Sequence, residues 1–162
     1  MILAAVGTYC HGFSDLVEQF DQACHQLDLD GFAQIGHSAF EPRHVAFDRF
    51  LPHADLKTMM AHARLVVCHA GMGVVGDAMR AGAPIIMVPR RARLNADEPT
   101  NDQLGFAEAT AAKYGLGLCL DPLDLQDHIA ETLHTPPAAR TYPLHSNVGD
   151  LVAETLRTTY QA

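Results

Sequence analysis

Leu65-Val66-Val67-Cys68-His69-Ala70-Gly71-Met72-Gly73-Val74-Val75-Gly76-Asp77 passes from an unbroken apolar run into a cluster of glycines. A run that is apolar at every position is what a parallel strand covered on both faces requires. Behind the glycines, Val74, Val75, Ala78 and Met79 recur at helical spacing until Gly82 stops them. Strand, glycine turn and helix are therefore expected in that order. Glycine in such a turn opens backbone angles closed to other residues and lets a ligand come close. The helix N-terminus offers unpaired N–H groups and a partial positive charge, a seat for phosphate. Asp77 is expected in the first helical turn, placed to take two ribose hydroxyls. The outline is that of a nucleotide site.

Outward from this stretch the same alternation continues. Ile85–Val88 is the next strand, ending in Pro89-Arg90, and Ile2–Val6 is the first. Ser14 is expected to N-cap a helix with Leu16, Val17, Phe20, Ala23, Cys24 and Leu27 on one face. Phe32–Ile35 and Ala46–Phe50 are short strands, and Asp55–Ala63 is a helix with Leu56, Met59 and Met60 inward. Gln103–Lys113 is a helix closed by Gly115, and Gly117–Leu120 a last strand. Leu125, Ile129 and Leu133, spaced by four, mark another helix. After Pro136-Pro137, a terminal helix over 146–162 is marked by Val148, Leu151, Val152, Thr155 and Leu156. Such alternation predicts an α/β, Rossmann-like open parallel sheet with helices on both faces, as one domain over 1–162.

Composition narrows the function. A net charge of −8 argues against a general nucleic-acid binder. No apolar run approaches the ~20 residues that span a bilayer, and the N-terminus reads as a strand rather than a signal peptide. The four cysteines form no Cys-x-x-Cys, which points to neither zinc nor a disulfide framework, and a cytoplasmic setting is expected. The ten histidines show no His-Glu-x-x-His spacing, and no metal is assigned to any of them. Arg90, Arg91 and Arg93 crowd just beyond a strand's carboxyl end, where ligands of open α/β sheets bind. They are either a solvated loop or a feature near phosphate or a membrane surface.

Gly71-x-Gly73-x-x-Gly76 literally matches the dinucleotide fingerprint. That fingerprint usually follows the first strand of its unit, with an acidic residue at the end of the next. Here the next strand ends in Arg90, which would suit a 2′-phosphate, so an NADP-binding Rossmann protein is the alternative. His69 also has two readings: a donor-binding residue, or a strand-end side chain that bonds backbone and shapes the turn.

The whole stretch, His69-Ala70-Gly71-x-Gly73 with Asp77 and then Gly82-x-Pro84-x-Ile86-x-Val88-Pro89-Arg90, resembles the donor-binding signature of glycosyltransferase family 28. Val6-Gly7-Thr8, Gln34-Ile35-Gly36-x-Ser38, Phe50-Leu51-Pro52 and Asn101-Asp102-Gln103 resemble further family segments, in order along nearly the whole chain. The similarity is to the short, single-domain members: the cytosolic subunit of the dolichol-linked N-acetylglucosaminyltransferase and bacterial exopolysaccharide glycosyltransferase subunits.

The resemblance implies the C-terminal half of a GT-B enzyme, holding a UDP-sugar. By this likeness backbone at Phe50 and Leu51 meets the uracil and Asp77 the ribose. Gly7, Thr8, Gly71, Met72 and Gly73 hold the diphosphate, with His69 and Arg90 beside them, and Asp102 and Gln103 reach the sugar. No cofactor or metal is implied, because helix N-termini and backbone donors balance the leaving diphosphate. Two positions depart from the pattern: Val74 stands where relatives often carry threonine, and Asp102 where a histidine commonly precedes the glutamine.

A GT-B enzyme needs a second Rossmann-like domain for the acceptor and usually the catalytic base. The expectation is therefore a donor-binding subunit, inactive alone. It would be completed by a membrane-anchored acceptor-domain subunit at the inner face of the membrane, with the terminal helix as a docking element and self-association left open. The product would be a hexose or N-acetylhexosamine on a lipid-linked or polysaccharide acceptor. A non-catalytic module that senses UDP-sugars is the other alternative.

Overall fold

Six strands and five helices make up the computed structural model, in which residues 1–91 and 102–135 are described. Arg93, Asn101, Pro136-Pro137 and the expected terminal helix lie outside the described residues. The elements are β1 (Ile2–Ala5), α1 (Ser14–Gln26), β2 (Gly31–Gln34), β3 (Ala46–Asp48), α2 (His53–His62), β4 (Val66–His69) and α3 (Met72–Ala81). They continue with β5 (Ile85–Val88), α4 (Leu104–Tyr114), β6 (Gly117–Leu118), a 3-10 turn at Pro122–Asp124 and α5 (Leu125–His134). All strands run parallel in the order β3-β2-β1-β4-β5-β6. This is the Rossmann order, and its direction reverses between β1 and β4.

The strands alternate between two apolar layers. Ile2, Ala4, Val6, Val67, Ile86 and Val88 face α1 and α5, packing on Leu16, Phe20, Leu125 and Ile129. Leu3, Ala5, Val66, Cys68, Ile85 and Met87 face α2, α3 and α4, packing on Met60, Val75, Ala78 and Ala107. Burial on both faces is the reason these strands read as continuous apolar runs. Cys24, Cys68 and Cys119 are buried in these layers; burial pushes their thiols up to about 12, about 12 and about 11. Cys10 is exposed.

Between β2 and β3 no helix crosses; an irregular segment does, and Asp21 of α1 holds it. The carboxylate, 1% exposed, accepts hydrogen bonds from the backbone N–H groups of Arg43 (3.1 Å), His44 (2.8 Å) and Val45 (3.1 Å). No helix among the described residues is long and apolar enough to cross a membrane.

Two local expectations are corrected. Ser14 is the first residue of α1, not its cap: Phe13 takes that place, and the Ser14 hydroxyl accepts from the N–H of Ala39 at 2.9 Å instead. Helix α3 begins at Met72 rather than near Val74, so Asp77 lies in its second turn. Five residues into the helix, Asp77 stands about 7.5 Å along the axis from Met72.

Candidate functional site

At the β1/β4 reversal the chain leaves β1 toward α1 on one face of the sheet and leaves β4 toward α3 on the other. A crevice opens outside the carboxyl ends of two such strands. Gly7 and Thr8 stand at one lip, and His69, Gly71, Met72 and Gly73 at the other. Val75 N–H makes the first intrahelical bond, to Gly71 O at 3.0 Å. The N–H groups of Met72, Gly73 and Val74 therefore have no acceptor within the helix, as at any helix start. An anion fits there.

His69 locks the two lips together. A Cβ on Gly7 would lie 2.5 Å from its Cε1, and one on Gly71 would lie 2.3 Å from its Nε2. Gly7 also has φ +73°, where other residues are strained. Gly71 has an ordinary extended backbone, φ −96°, so the imidazole rather than the backbone demands glycine there. Gly73 differs from both, because a Cβ added to it would meet nothing within 4 Å.

The ring itself bonds through Nδ1 to the carbonyl of Ala5 at 3.3 Å. A carbonyl only accepts, so Nδ1 carries the proton and Nε2 keeps its lone pair. Burial presses the imidazole down to about 4, and the Arg90 cation adds to the effect while the Ala5 bond opposes it.

Gln34 and Arg90 frame the β1 lip. The buried Gln34 amide accepts from Gly7 N–H at 3.0 Å and donates to Gly7 O at 3.1 Å and Arg49 O at 2.8 Å. In the sequence it is marked only as part of the family-like segment Gln34-Ile35-Gly36-x-Ser38, with no role given to its side chain. Arg90 is 7% exposed and reaches the carbonyls of Val6, at 2.9 Å, and Gly12. Its guanidinium lies 5.2 Å from the Tyr9 ring centre and 4.7 Å from that of Phe13. Burial draws it down to about 10, and its Nε has no hydrogen-bond partner among the described residues. Arg91 is exposed.

Gln103 exchanges hydrogen bonds with the Arg90 backbone: its Oε1 accepts from Arg90 N–H at 3.1 Å, and its own N–H donates to Arg90 O at 2.9 Å. Asp102 is exposed and accepts from the N–H of Leu104, the first residue of α4, at 2.9 Å.

Phe50 and Leu51 follow β3 at the same carboxyl edge, with Phe50 exposed and edge-on to His37 at 5.0 Å. Asp77, on α3, accepts from His53 Nε2 at 2.6 Å and from Arg80 Nη1 at 2.9 Å. The spacing of the sequence gave no sign of His53. The chain's one Asp-x-Asp, Asp28-Leu29-Asp30, precedes β2 at the opposite, amino edge of the sheet, where Asp30 pairs with the N-terminal amine at 3.8 Å. It does not join the site, and the described residues hold no group of three acidic, histidine or cysteine side chains suited to a metal.

Comparison with known proteins fits this geometry. The Acinetobacter baumannii MurG structure superposes with a TM-score of 0.64 at 19% identity, over 97% of this chain and 49% of that one. The glycotransferase of kitacinnamycin gives 0.61 at 22% identity, over 85% and 36%. The glycosyltransferase VinC, solved with dTDP, gives 0.56 at 21% identity, over 99% and 37%. The chain thus spans less than half the length of each, and its fold corresponds to one half of a GT-B glycosyltransferase. The glycosyltransferase family 28 C-terminal domain profile matches residues 1–151. Sequence motifs, sheet order and profile agree, and the chain belongs to the glycosyltransferase family 28 C-terminal domain family.

Proposed function

We propose that the domain holds a UDP-sugar as the donor-binding half of a GT-B glycosyltransferase that transfers a hexose or N-acetylhexosamine to a lipid-linked or polysaccharide acceptor. The observation that carries this reading is the meeting of the Gly7-Thr8 and Gly71–Gly73 turns at the sheet reversal, with the N–H groups of α3 beside them. Family membership supports a sugar-nucleotide ligand. Backbone at Phe50 and Leu51 takes the uracil, Asp77 the ribose, the two turns the diphosphate, and Asp102 and Gln103 the sugar hydroxyls.

Helix-end and backbone donors stabilise the leaving diphosphate as charge develops on it. Arg90 acts behind the β1 turn, since its guanidinium is already engaged by Val6 and Gly12 carbonyls. His69, neutral above about pH 4, packs its ring against both turns and leaves Nε2 as its accepting nitrogen. A membrane-anchored acceptor-domain subunit at the cytoplasmic face completes the enzyme, with the catalytic base on that partner.

Calorimetric titration in EDTA tests the reading. UDP binds to the chain without divalent metal, and NADP binds more weakly. A preference for NADP would make this a dinucleotide protein through Gly71-x-Gly73-x-x-Gly76. The lone chain transfers no sugar until an acceptor-domain chain is added; transfer by the lone chain overturns the two-subunit arrangement. Binding without transfer in the presence of such a partner would mark a UDP-sugar sensor.

A further inference from the structure

Both oxygens of the Asp77 carboxylate have partners, and the partners come from different elements. Arg80 donates to Oδ1 at 2.9 Å from within α3, whereas His53 donates to Oδ2 at 2.6 Å from the first residue of α2. The Asp77 side chain is 14% exposed and Arg80 60% exposed. A pair three residues apart on an exposed helix face is a weak restraint. His53 is itself 69% exposed, but its 2.6 Å bond comes from another element, so it is the contact that ties the carboxylate to a second helix.

Each carboxylate oxygen has about two lone-pair sites. With one used by His53 and one by Arg80, one remains on each oxygen, the number that a vicinal diol needs. His53 follows Phe50-Leu51-Pro52 directly. Its bond therefore joins the segment proposed for the uracil to the carboxylate proposed for the ribose.

We propose that His53 is a specificity-determining positioning residue: by orienting Asp77 to accept from both ribose hydroxyls, it sets a preference for a ribonucleotide over a 2′-deoxyribonucleotide donor. The inference rests on the reading of Asp77 as the ribose ligand. A deoxyribose leaves one oriented lone pair of Asp77 without its donor, and a site built around a substrate hydroxyl discriminates on that basis. An Asp77 held only by Arg80 swings, and reads the two sugars more equally.

The experiment is the ratio of Kd for 2′-deoxy-UDP to Kd for UDP, measured by calorimetry on the full chain and its variants. Both constants come from one preparation, so a partly unfolded variant does not alter the ratio. The unsubstituted chain prefers UDP by about tenfold, the scale of one hydrogen bond to a charged group. Asp77→Ala brings the ratio to near one. His53→Ala reduces it at least about threefold, while His53→Gln, which keeps an N–H donor, retains most of it. A chain without preference, or one whose preference survives Asp77→Ala, refutes Asp77 as the ribose ligand. Collapse in Asp77→Ala together with an unchanged ratio in His53→Ala overturns the role of His53 alone.

Discussion

Arg90 Nη2 donates to the carbonyl oxygen of Val6 at 2.9 Å, so the end of β5 is tied to the end of β1 across the intervening β4. The same guanidinium reaches Gly12 O, at the far end of the loop that begins at Gly7. One side chain thus sets the span of the β1 lip.

Removing that fork should be costly. Arg90→Met leaves two buried carbonyls unpaired and is expected to destabilise the fold by about 2–4 kcal/mol. UDP binding should weaken with it, since the loop loses its span. Arg90→Lys restores the charge but not the two-pronged reach, and should recover less than half of either loss. Urea unfolding and calorimetry on the two variants check this. Full recovery by lysine would show that charge alone suffices.

His69 gives a signature in pH. Its folded value of about 4 lies below the ordinary histidine value of 6.5. Above pH 6.5 the ring is neutral in both states and its contribution is complete. As pH falls from 6.5 to 4 the unfolded chain takes up a proton that the folded chain refuses, and stability declines. The full loss is about 3 kcal/mol, at about 1.36 kcal/mol per pKa unit. His69→Asn keeps an N–H for Ala5 O without a titrating group. Its stability curve should run flatter than that of the unsubstituted chain between pH 4 and 6.5, and the difference between two urea-melt series reads the effect.

Gly73 and Gly7 should respond in opposite directions. Gly73→Ala meets no neighbour and fills a helical position, so stability should hold or rise by up to ~1 kcal/mol. Its UDP affinity should nevertheless fall, because the methyl group would occupy the proposed phosphate seat. Gly7→Ala should lose about 1–2 kcal/mol from its positive φ alone, and more from the His69 ring 2.5 Å away. Thermal melts paired with titrations separate the two. A Gly73→Ala variant that binds UDP normally would remove that glycine from the site.

Asp21 should be the most sensitive acid for stability. Asp21→Ala leaves three N–H groups at Arg43, His44 and Val45 without their acceptor, for a loss of about 2–4 kcal/mol. Proteolysis should begin in the 40–45 segment. An intact segment and unchanged melting would show that water replaces the carboxylate at no cost.

How much of this could be read in advance depended on range along the chain. β1, β4 and β5 are apolar on both faces, and their runs marked them within one residue. β3 is an edge strand with Ala46 and Asp48 exposed, and its predicted end ran two residues too far, to Phe50. Met72 and Gly73 carry no apolar periodicity, which hid the true start of α3 and put Asp77 one turn out of place. The glycine turns were legible because backbone chemistry is local. The partners of Arg90 were not, since Val6 and Gly12 lie 84 and 78 residues earlier. The His53 contact to Asp77, across 24 residues, has no local signature either.

The thiols divide the molecule chemically. With Cys24, Cys68 and Cys119 enclosed in the layers and held far above neutral pH as protonated thiols, alkylating and oxidising reagents find little thiolate there. Cys10 alone is exposed, and it lies in the loop that Arg90 spans. The native chain therefore carries a site-selective attachment point for a fluorophore or spin probe at one lip of the crevice, and the proposed nucleotide binding can be tested there without adding or removing a single residue.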